Sequence, residues 1–204
     1  QPAIRYTKED CLDLPDMVYT NREVEMTRQQ QKYYKELRNR MVVQAAGEEI
    51  TAVNAAVNMN KLLQIACGAI YTDKGHTLEF DIKHRYRVLR EVIDESSQKV
   101  LVFVPFKHAI SILAEKLTAD GITNAVIQGG VTLTAANTVV WWGPTSSLET
   151  YAQANARVHR AGQTHKCTVV QLQGSLVEKH VYRLLDSKID VHSQIIDLYN
   201  KLLD

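Results

Sequence analysis

The chain has 204 residues, of which 45% are hydrophobic and 23% charged, as expected for a globular protein with one sizeable core. Its formal net charge is only +1, so any contact with nucleic acid requires a local basic patch or a second domain. The cysteines form no Cys-x-x-Cys pair, which argues against a zinc site or a disulfide framework, and no apolar run approaches the roughly 18 residues of a membrane span.

The first part of the chain reads as a mostly helical lead-in. Rough polar and apolar alternation in VYTNREVEM, residues 18–26, predicts a strand. Thr27 and Gln30 then have the spacing of a capping box, which predicts that a helix begins there. Apolar spacing predicts two further helices, at about 49–66 and 81–96.

Strands and helices alternate in the second part of the chain. Apolar runs rich in β-branched residues predict strands at KVLVFVPF, NAVIQ, NTVVWW and KCTVVQLQ. Amphipathic helices are predicted at 107–120, from the Ser146–Glu149 capping box to near Gly162, and from the Ser175–Glu178 capping box onward. Such alternation is typical of βαβ units and therefore of a largely parallel sheet with helices on both faces.

These patterns divide the chain into three parts. Residues 1–97 are expected to form a helical appendage, residues 98–190 an α/β core and residues 191–204 a C-terminal amphipathic helix.

The strongest chemical signal is the stretch YAQANARVHRAGQ, residues 151–163. On a helix running to Gly162, Gln153, Arg157 and Arg160 share one face, and a helix that follows a parallel strand is expected to lie partly at a ligand-binding edge of the sheet. Guanidinium groups are planar, always charged and able to bind two phosphate oxygens, which suits a transferring γ-phosphoryl group. On spacing alone, a solvated helix face or surface ion pairs are the commoner explanation for two such arginines.

This stretch resembles the sixth helicase motif of the Swi/Snf-type ATPases, the DNA translocases of helicase superfamily two. Further blocks resemble that family in its own order: RYTKEDCLDLP, LLQIACG, KVLVFVPFKHAISIL, GVTLTAANTVVWW and GSLVEKHVYRLLDSK. Tyr6 stands where the family has a second arginine, and Lys83 stands where it has a lysine before a helix. The pattern Gln-Ala-x-x-Arg-x-x-Arg-x-Gly-Gln is matched at all its fixed positions: Gln153, Ala154, Arg157, Arg160, Gly162 and Gln163.

The resemblance implies a RecA-like α/β fold of the P-loop NTPase type, and only the second, C-terminal lobe of the motor. Neither GxxxxGK[ST] nor Asp-Glu-x-His is present, and in the family both belong to the first lobe. ATP with Mg²⁺ is thus implied for the complete protein, with the N-terminal RecA-like lobe of the same parent chain as partner. On its own, this lobe is expected to bind neither ATP nor Mg²⁺ and to be inactive.

Roles at the implied nucleotide site fall on five residues of the sixth motif. Arg160 and Arg157 are expected to contact the γ-phosphate, with Arg160 as the arginine finger. Gln153, Gly162 and Gln163 are expected to support them. A merely structural hydrogen bond is an equal alternative for Gln153, and Gly162 could serve only as a helix C-cap.

Double-stranded DNA is the second implied partner, and no membrane partner is expected. Gly130, Thr132 and Thr134 fall in the fifth motif, which touches the DNA backbone in relatives, and Lys107 follows the fourth-motif strand. Hydroxyls and backbone amides suit phosphate contacts, which position a protein without reading sequence. The alternatives are ordinary strand-end threonines and a surface lysine.

Two other residue types are assigned no ligand. Trp141 and Trp142 end a predicted strand, and core or lobe packing is expected of them rather than base stacking. No metal site is predicted, because ligand spacing beside carboxylates or cysteines is lacking at His108, His159, His165 and His180.

One stretch departs from the family's length. A few dozen residues, including a helix and a strand, normally separate the strand near Gln128 from the fifth motif, but here Gly129-Gly130 leads straight into Val131. Either the protein lacks them or a segment near 129–131 has been lost from this sequence. The dozen or more residues that a βαβ crossover needs favour a lost segment.

Three functions stay open at this point. The first is a motor lobe of a double-stranded DNA translocase, and the second is a catalytically silent helicase-fold module that binds DNA or a partner protein. The third is an unwinding or RNA helicase of the same superfamily. A cytoplasmic location in a bacterium or a phage-infected cell, or a nuclear one in a eukaryote, is expected.

Overall fold

The structure is a computed structural model that describes residues 14–45, 52–71, 76–127 and 133–188. The predicted helix at 191–204 lies outside these ranges. In chain order the elements are β1 (Met17–Glu23), α1 (Arg28–Ala45), α2 (Ala52–Cys67), β2 (Ala69–Tyr71), β3 (Thr77–Glu79), α3 (Lys83–Glu95), β4 (Lys99–Phe103), α4 (Lys107–Ala119), β5 (Ala136–Trp141), α5 (Leu148–Ala156), β6 (Cys167–Gln173) and α6 (Leu176–Asp186).

Four parallel strands form the main sheet, in the order β1-β6-β5-β4. β2 and β3 form a separate antiparallel pair. The β4-α4-β5 and β5-α5-β6 segments are βαβ units, which confirms the predicted α/β fold with a parallel sheet. β1 belongs to the same sheet although it precedes residue 98, and the three-part division of the chain stays a prediction.

The core has two halves because successive side chains of a strand point to opposite faces of the sheet. Val139 and Trp141 of β5 pack with α2, α5 and α6 on one face. Val140 and Trp142 pack with α3 and α4 on the other. The exposed fractions of Trp141 and Trp142 are 2% and 0%, so both tryptophans are core residues as the sequence predicts.

Local sequence signals set two helix starts as predicted. The Thr27 amide donates to the Gln30 side chain at 2.9 Å and the Gln30 amide to the Thr27 hydroxyl at 3.4 Å, which is a capping box. The Glu178 amide donates to Ser175 Oγ at 3.2 Å in the same way. The box predicted from Ser146 is wrong by one residue.

The helix predicted from Ser146 begins instead after Ser147. Ser147 is the N-cap of α5, and its Oγ accepts a hydrogen bond from the Thr150 amide at 3.1 Å. Ser147 thus satisfies one of the first-turn amides that lack a partner within the helix.

The strand predicted at NAVIQ is wrong over its described part. Residues 122–127 have no regular structure, and Val126 and Ile127 are 54% and 50% exposed. A strand needs a hydrogen-bonded neighbour, and in the described part of the main sheet no segment pairs with the outer edge of β4. An apolar run of five residues cannot provide that neighbour by itself. The segment at 129–131 lies outside the described residues.

Candidate nucleotide and DNA interface

Arg160 does not share a helical face with Gln153, which corrects the prediction. α5 ends at Ala156, Arg157 is its C-cap and Arg160 lies beyond the helix. The amides of Val158 and His159 both donate to the Asn155 carbonyl at 3.3 Å. The backbone tightens there because Val158, fully buried, anchors the turn in the core. We call residues 157–163 the arginine loop.

Gln163 holds this loop through a buried side chain that is 5% exposed. Its Nε2 donates to the carbonyls of Ala136 at 2.9 Å, Val158 at 3.2 Å and Thr134 at 3.3 Å. Its Oε1 accepts from the His165 amide at 3.0 Å. A single carboxamide therefore fastens the arginine loop to the segment that leads into β5 and to the approach to β6.

The arginine loop lies at the amino edge of the sheet. α5 begins after the carboxyl end of β5 and runs back, so its end returns to the amino ends of β5 and β6. The Leu133 amide, just before β5, donates to the Arg157 carbonyl at 3.3 Å. Ligands of open α/β sheets usually bind outside the carboxyl ends of the strands. The arginine loop lies at the opposite edge, which corrects the prediction that it lies at the usual ligand-binding edge.

Buried polar contacts fix α5, and with it the start of the arginine loop. Trp141 Nε1 donates to Asn155 Oδ1 at 3.0 Å, and Gln171 Nε2 donates to the Tyr151 hydroxyl at 2.9 Å. The Tyr151 hydroxyl in turn lies 3.1 Å from Asp186 Oδ1 on α6. Burial raises the pKa of Tyr151, so this phenol stays protonated and keeps donating at physiological pH.

The two arginines differ in exposure. Arg157 is half-buried and Arg160 is exposed, and neither lacks an interaction partner in the structure. An exposed guanidinium on a fastened loop can meet a phosphate presented by another domain. The nucleotide-site roles of both stay predictions.

Gln153 and Gly162 have local structural roles. Gln153 is exposed on α5 and donates to Glu149 Oε1 at 2.8 Å, one helical turn earlier. Gly162 has φ +95°, a left-handed conformation that favours glycine, although it lies in a turn and not at the end of α5. Their predicted support of a nucleotide site stays a prediction.

The residues predicted to touch DNA are divided between two edges. Thr134 lies before β5 beside the arginine loop, at the amino edge, and its carbonyl accepts from Gln163. Lys107 begins α4 at the carboxyl end of β4, so roughly 15 Å of strand separates the two edges. Gly130 and Thr132 lie outside the described residues.

A buried ion pair occupies the carboxyl edge, and the sequence interpretation missed it. Arg85 on α3 and Glu178 on α6 are 3% and 0% exposed, with Nη2 2.7 Å from Oε1. Arg85 Nη1 also donates to the Trp142 carbonyl, and Glu178 Oε2 accepts from the Gly174 amide at 2.8 Å. Burial alone would lower the pKa of Arg85, but the Glu178 carboxylate raises it, so the guanidinium stays charged.

A signal for Arg85 exists in the sequence. Arg85 precedes Val88, Leu89 and Val92 by three, four and seven residues, which places it on the buried face of α3. A cation in that position requires a buried partner. Glu178, the last residue of the Ser175–Glu178 capping box, was the available carboxylate.

None of the helices in the described ranges combines the length and the hydropathy needed to cross a membrane. Over the same ranges, no three metal-ligating side chains come together as a candidate site. An open cleft of about 470 Å³ between the first turns of α1 and α3 contains none of the predicted site residues; it is lined by Thr27, Arg28, Gln29, Asp81, Lys83 and His84.

Two solved structures of C-terminal ATPase domains are similar to this chain over most of its length. The C-terminal part of the Fun30 ATPase domain superposes with a TM-score of 0.67 at 16% identity, covering 94% of this chain and 98% of that one. The C-terminal domain of the Sulfolobus solfataricus SWI2/SNF2 ATPase gives 0.57 at 18% identity, covering 90% and 92%. This chain has the fold of a C-terminal Swi2/Snf2 ATPase lobe.

This chain matches two longer proteins over half of their own length or less. The Sulfolobus solfataricus SWI2/SNF2 ATPase core in complex with double-stranded DNA gives a TM-score of 0.62 at 21% identity, and the match covers 96% of this chain but 50% of that one. The putative protein p41 of Acyrthosiphon pisum secondary endosymbiont phage 1 is 28% identical over 105 residues, which are 51% of this chain and 23% of the phage protein. No protein-family model matches the chain.

Proposed function

We propose that this chain is the C-terminal motor lobe of an ATP-driven double-stranded DNA translocase. On this proposal the ATP site is completed by an N-terminal RecA-like lobe of the same parent chain, which would hold the Mg²⁺. The observation that carries the proposal is the fastening of the arginine loop to the Thr134 segment by Gln163, in a chain with the Swi2/Snf2 C-terminal fold.

The chemistry assigned to this lobe is electrostatic. Arg160, exposed in the middle of the loop, would approach the γ-phosphate from across the lobe interface and stabilise the charge that spreads over the phosphoryl oxygens during transfer. Arg157, closer to α5 and half-buried, would contact the same phosphate from the helix end. A loop fixed before the reaction makes this stabilisation effective because no reorganisation is needed.

The same loop would couple DNA binding to the nucleotide site. The Gln163 side chain donates a hydrogen bond to the Thr134 carbonyl. A DNA phosphate bound near Thr134 would therefore shift the backbone that carries Arg160. Lys107 would contact a phosphate at the other edge of the sheet. These contacts would grip the DNA backbone without reading its sequence.

The test is DNA-stimulated ATP hydrolysis by the full parent protein. Arg160→Ala should lower kcat by about 10³-fold or more, as loss of an arginine finger does, with DNA binding nearly intact. Arg87→Ala is the matched control, because Arg87 is exposed and pairs only with Glu91 at 3.8 Å among the charged groups of the described chain. Equal turnover in Arg160→Ala and wild type would remove the finger assignment.

The second candidate function predicts a different result in the same assay. A catalytically silent module would give no hydrolysis by the wild-type parent with any nucleic acid, while binding DNA or a partner protein. Stimulation by double-stranded DNA in the wild type would exclude the silent module.

A further inference from the structure

The arginine loop has a second attachment, on the side opposite Gln163. His159 lies between the two arginines, and its Nε2 is 2.7 Å from the carbonyl oxygen of Pro15. The next residue, Asp16, accepts a hydrogen bond at its carbonyl from the Cys167 amide at 2.9 Å. The short segment before β1 is therefore held both to the arginine loop and to the start of β6.

The chemistry of this contact fixes which atom donates. A carbonyl oxygen only accepts, so Nε2 of His159 must carry the proton. Both the neutral tautomer with hydrogen on Nε2 and the imidazolium can donate this bond. Pro15 itself has no N–H, and its ring restricts the backbone, so its carbonyl is presented from a stiff position.

We propose that His159 is a positioning residue that ties the arginine loop to the segment entering β1. The inference rests on the proposed function, in which an N-terminal lobe precedes this chain and its connection enters through residues 14–16. Movement of that lobe would then be transmitted to the loop through Pro15. Arg160 is the residue next to His159 and would follow any displacement of it.

Gln163 and His159 hold the loop from two directions. Gln163 connects it to the Thr134 segment within the lobe, whereas His159 connects it to the chain that arrives from outside the lobe. Losing the His159 bond should leave the fold intact but allow Arg160 to occupy positions that do not match the phosphate. The cost should appear in kcat rather than in KM for ATP, since only the transition state needs the matched position.

The experiment measures DNA-stimulated ATP hydrolysis by His159→Phe and His159→Gln variants of the full parent protein. Phe keeps an aromatic ring but has no donor, while the Gln amide can reach the position of Nε2 and donate. Phe should lower kcat roughly 5- to 10-fold, the factor expected from one lost hydrogen bond, with KM nearly unchanged. Gln should restore most of the loss.

Controls separate this inference from the proposed function. His165→Phe is the matched variant, because the His165 ring is exposed and contacts Thr164 Oγ1 at 3.1 Å. Three results would each overturn the positioning role of His159. They are a wild-type kcat in both His159 variants, an equal loss of kcat in both, and a loss of kcat that parallels a lowered melting temperature. Failure of double-stranded DNA to stimulate ATP hydrolysis by the wild-type parent would instead overturn the proposed function.

Hydrogen exchange tests the tie even if the parent hydrolyses no ATP. In His159→Phe the amides of 158–163 and 16–17 should exchange faster, while His159→Gln and His165→Phe should match wild type. Unchanged exchange in His159→Phe would overturn the tie independently of any activity.

Discussion

The two edges of the main sheet are built differently. At the carboxyl edge, Arg85 and Glu178 form a fully buried ion pair beneath the ends of β5 and β6. At the amino edge, the arginine loop is held by hydrogen bonds that Gln163 and His159 donate to backbone carbonyls, and Arg160 is exposed.

This difference explains why the usual rule for ligand sites does not locate the candidate interface. In open α/β sheets the ligand crevice lies outside the carboxyl ends of the strands. Here those ends are occupied by protein, since a Cβ on Gly174 would lie 2.9 Å from Arg85 Nη2 and 3.0 Å from the Val24 carbonyl. The exposed Arg160 lies instead at the amino edge, where the proposed N-terminal lobe would approach it.

The largest effect should come from breaking the ion pair of the carboxyl edge. Glu178→Gln keeps the shape and one acceptor but leaves Arg85 charged and buried. We expect the free energy of unfolding to fall by about 3–5 kcal/mol, measured by urea denaturation. The double variant Arg85→Met/Glu178→Gln should lose much less than the sum of the single variants. Additive losses would mean that the two side chains are not coupled.

The same contrast separates what the sequence could predict from what it could not. The Ser175–Glu178 box was predictable because both partners lie within one helical turn. The partner of Glu178 was not identified because Arg85 is 93 residues away, although its place on the apolar face of α3 was a signal.

Tertiary contacts also explain two of the wrong predictions, the end of α5 and the strand at NAVIQ. The helical spacing of the sequence continues beyond Ala156. The helix α5 nevertheless ends at Ala156, because Val158 is buried and its carbonyl accepts a hydrogen bond from Gln163. The run Asn124-Ala125-Val126-Ile127 has the composition of a strand, but a strand exists only with a paired neighbour. Neither constraint is written in the local pattern.

An intermediate effect is expected at the amino edge from Gln163→Leu. Leucine preserves the apolar volume but leaves the carbonyls of Ala136 and Val158 without this donor. The free energy of unfolding should fall by about 1–3 kcal/mol, and kcat should fall further than stability requires because the arginine loop is released. Gln153→Leu is the matched control for stability, since the exposed Gln153 side chain bonds to Glu149 one helical turn earlier. The unfolding free energy of this variant should change by less than about 0.5 kcal/mol. A stability loss in Gln153→Leu equal to that in Gln163→Leu would contradict the assignment of Gln163 as the fastening residue.

The smallest effect compares one cysteine at each edge. Cys67 lies at the carboxyl edge and Cys167 at the start of β6 on the amino edge, and each is 1% exposed. Burial raises the pKa of the Cys67 thiol to about 12 and also raises that of Cys167. Because a raised pKa lowers the thiolate fraction, both should react slowly with a maleimide at pH 8 and only when the structure opens locally.

The edge held by hydrogen bonds to backbone carbonyls should open more often than the edge held by the buried ion pair. In a Cys11→Ser variant, Cys167 should therefore be labelled about tenfold faster than Cys67, as measured by mass spectrometry of quenched samples. Glu178→Gln should narrow this ratio by accelerating Cys67, whose neighbour across the edge is the Arg85–Glu178 pair. Labelling of Cys67 at the same rate as Cys167 in the wild type would show that the ion pair does not make the carboxyl edge the more rigid of the two.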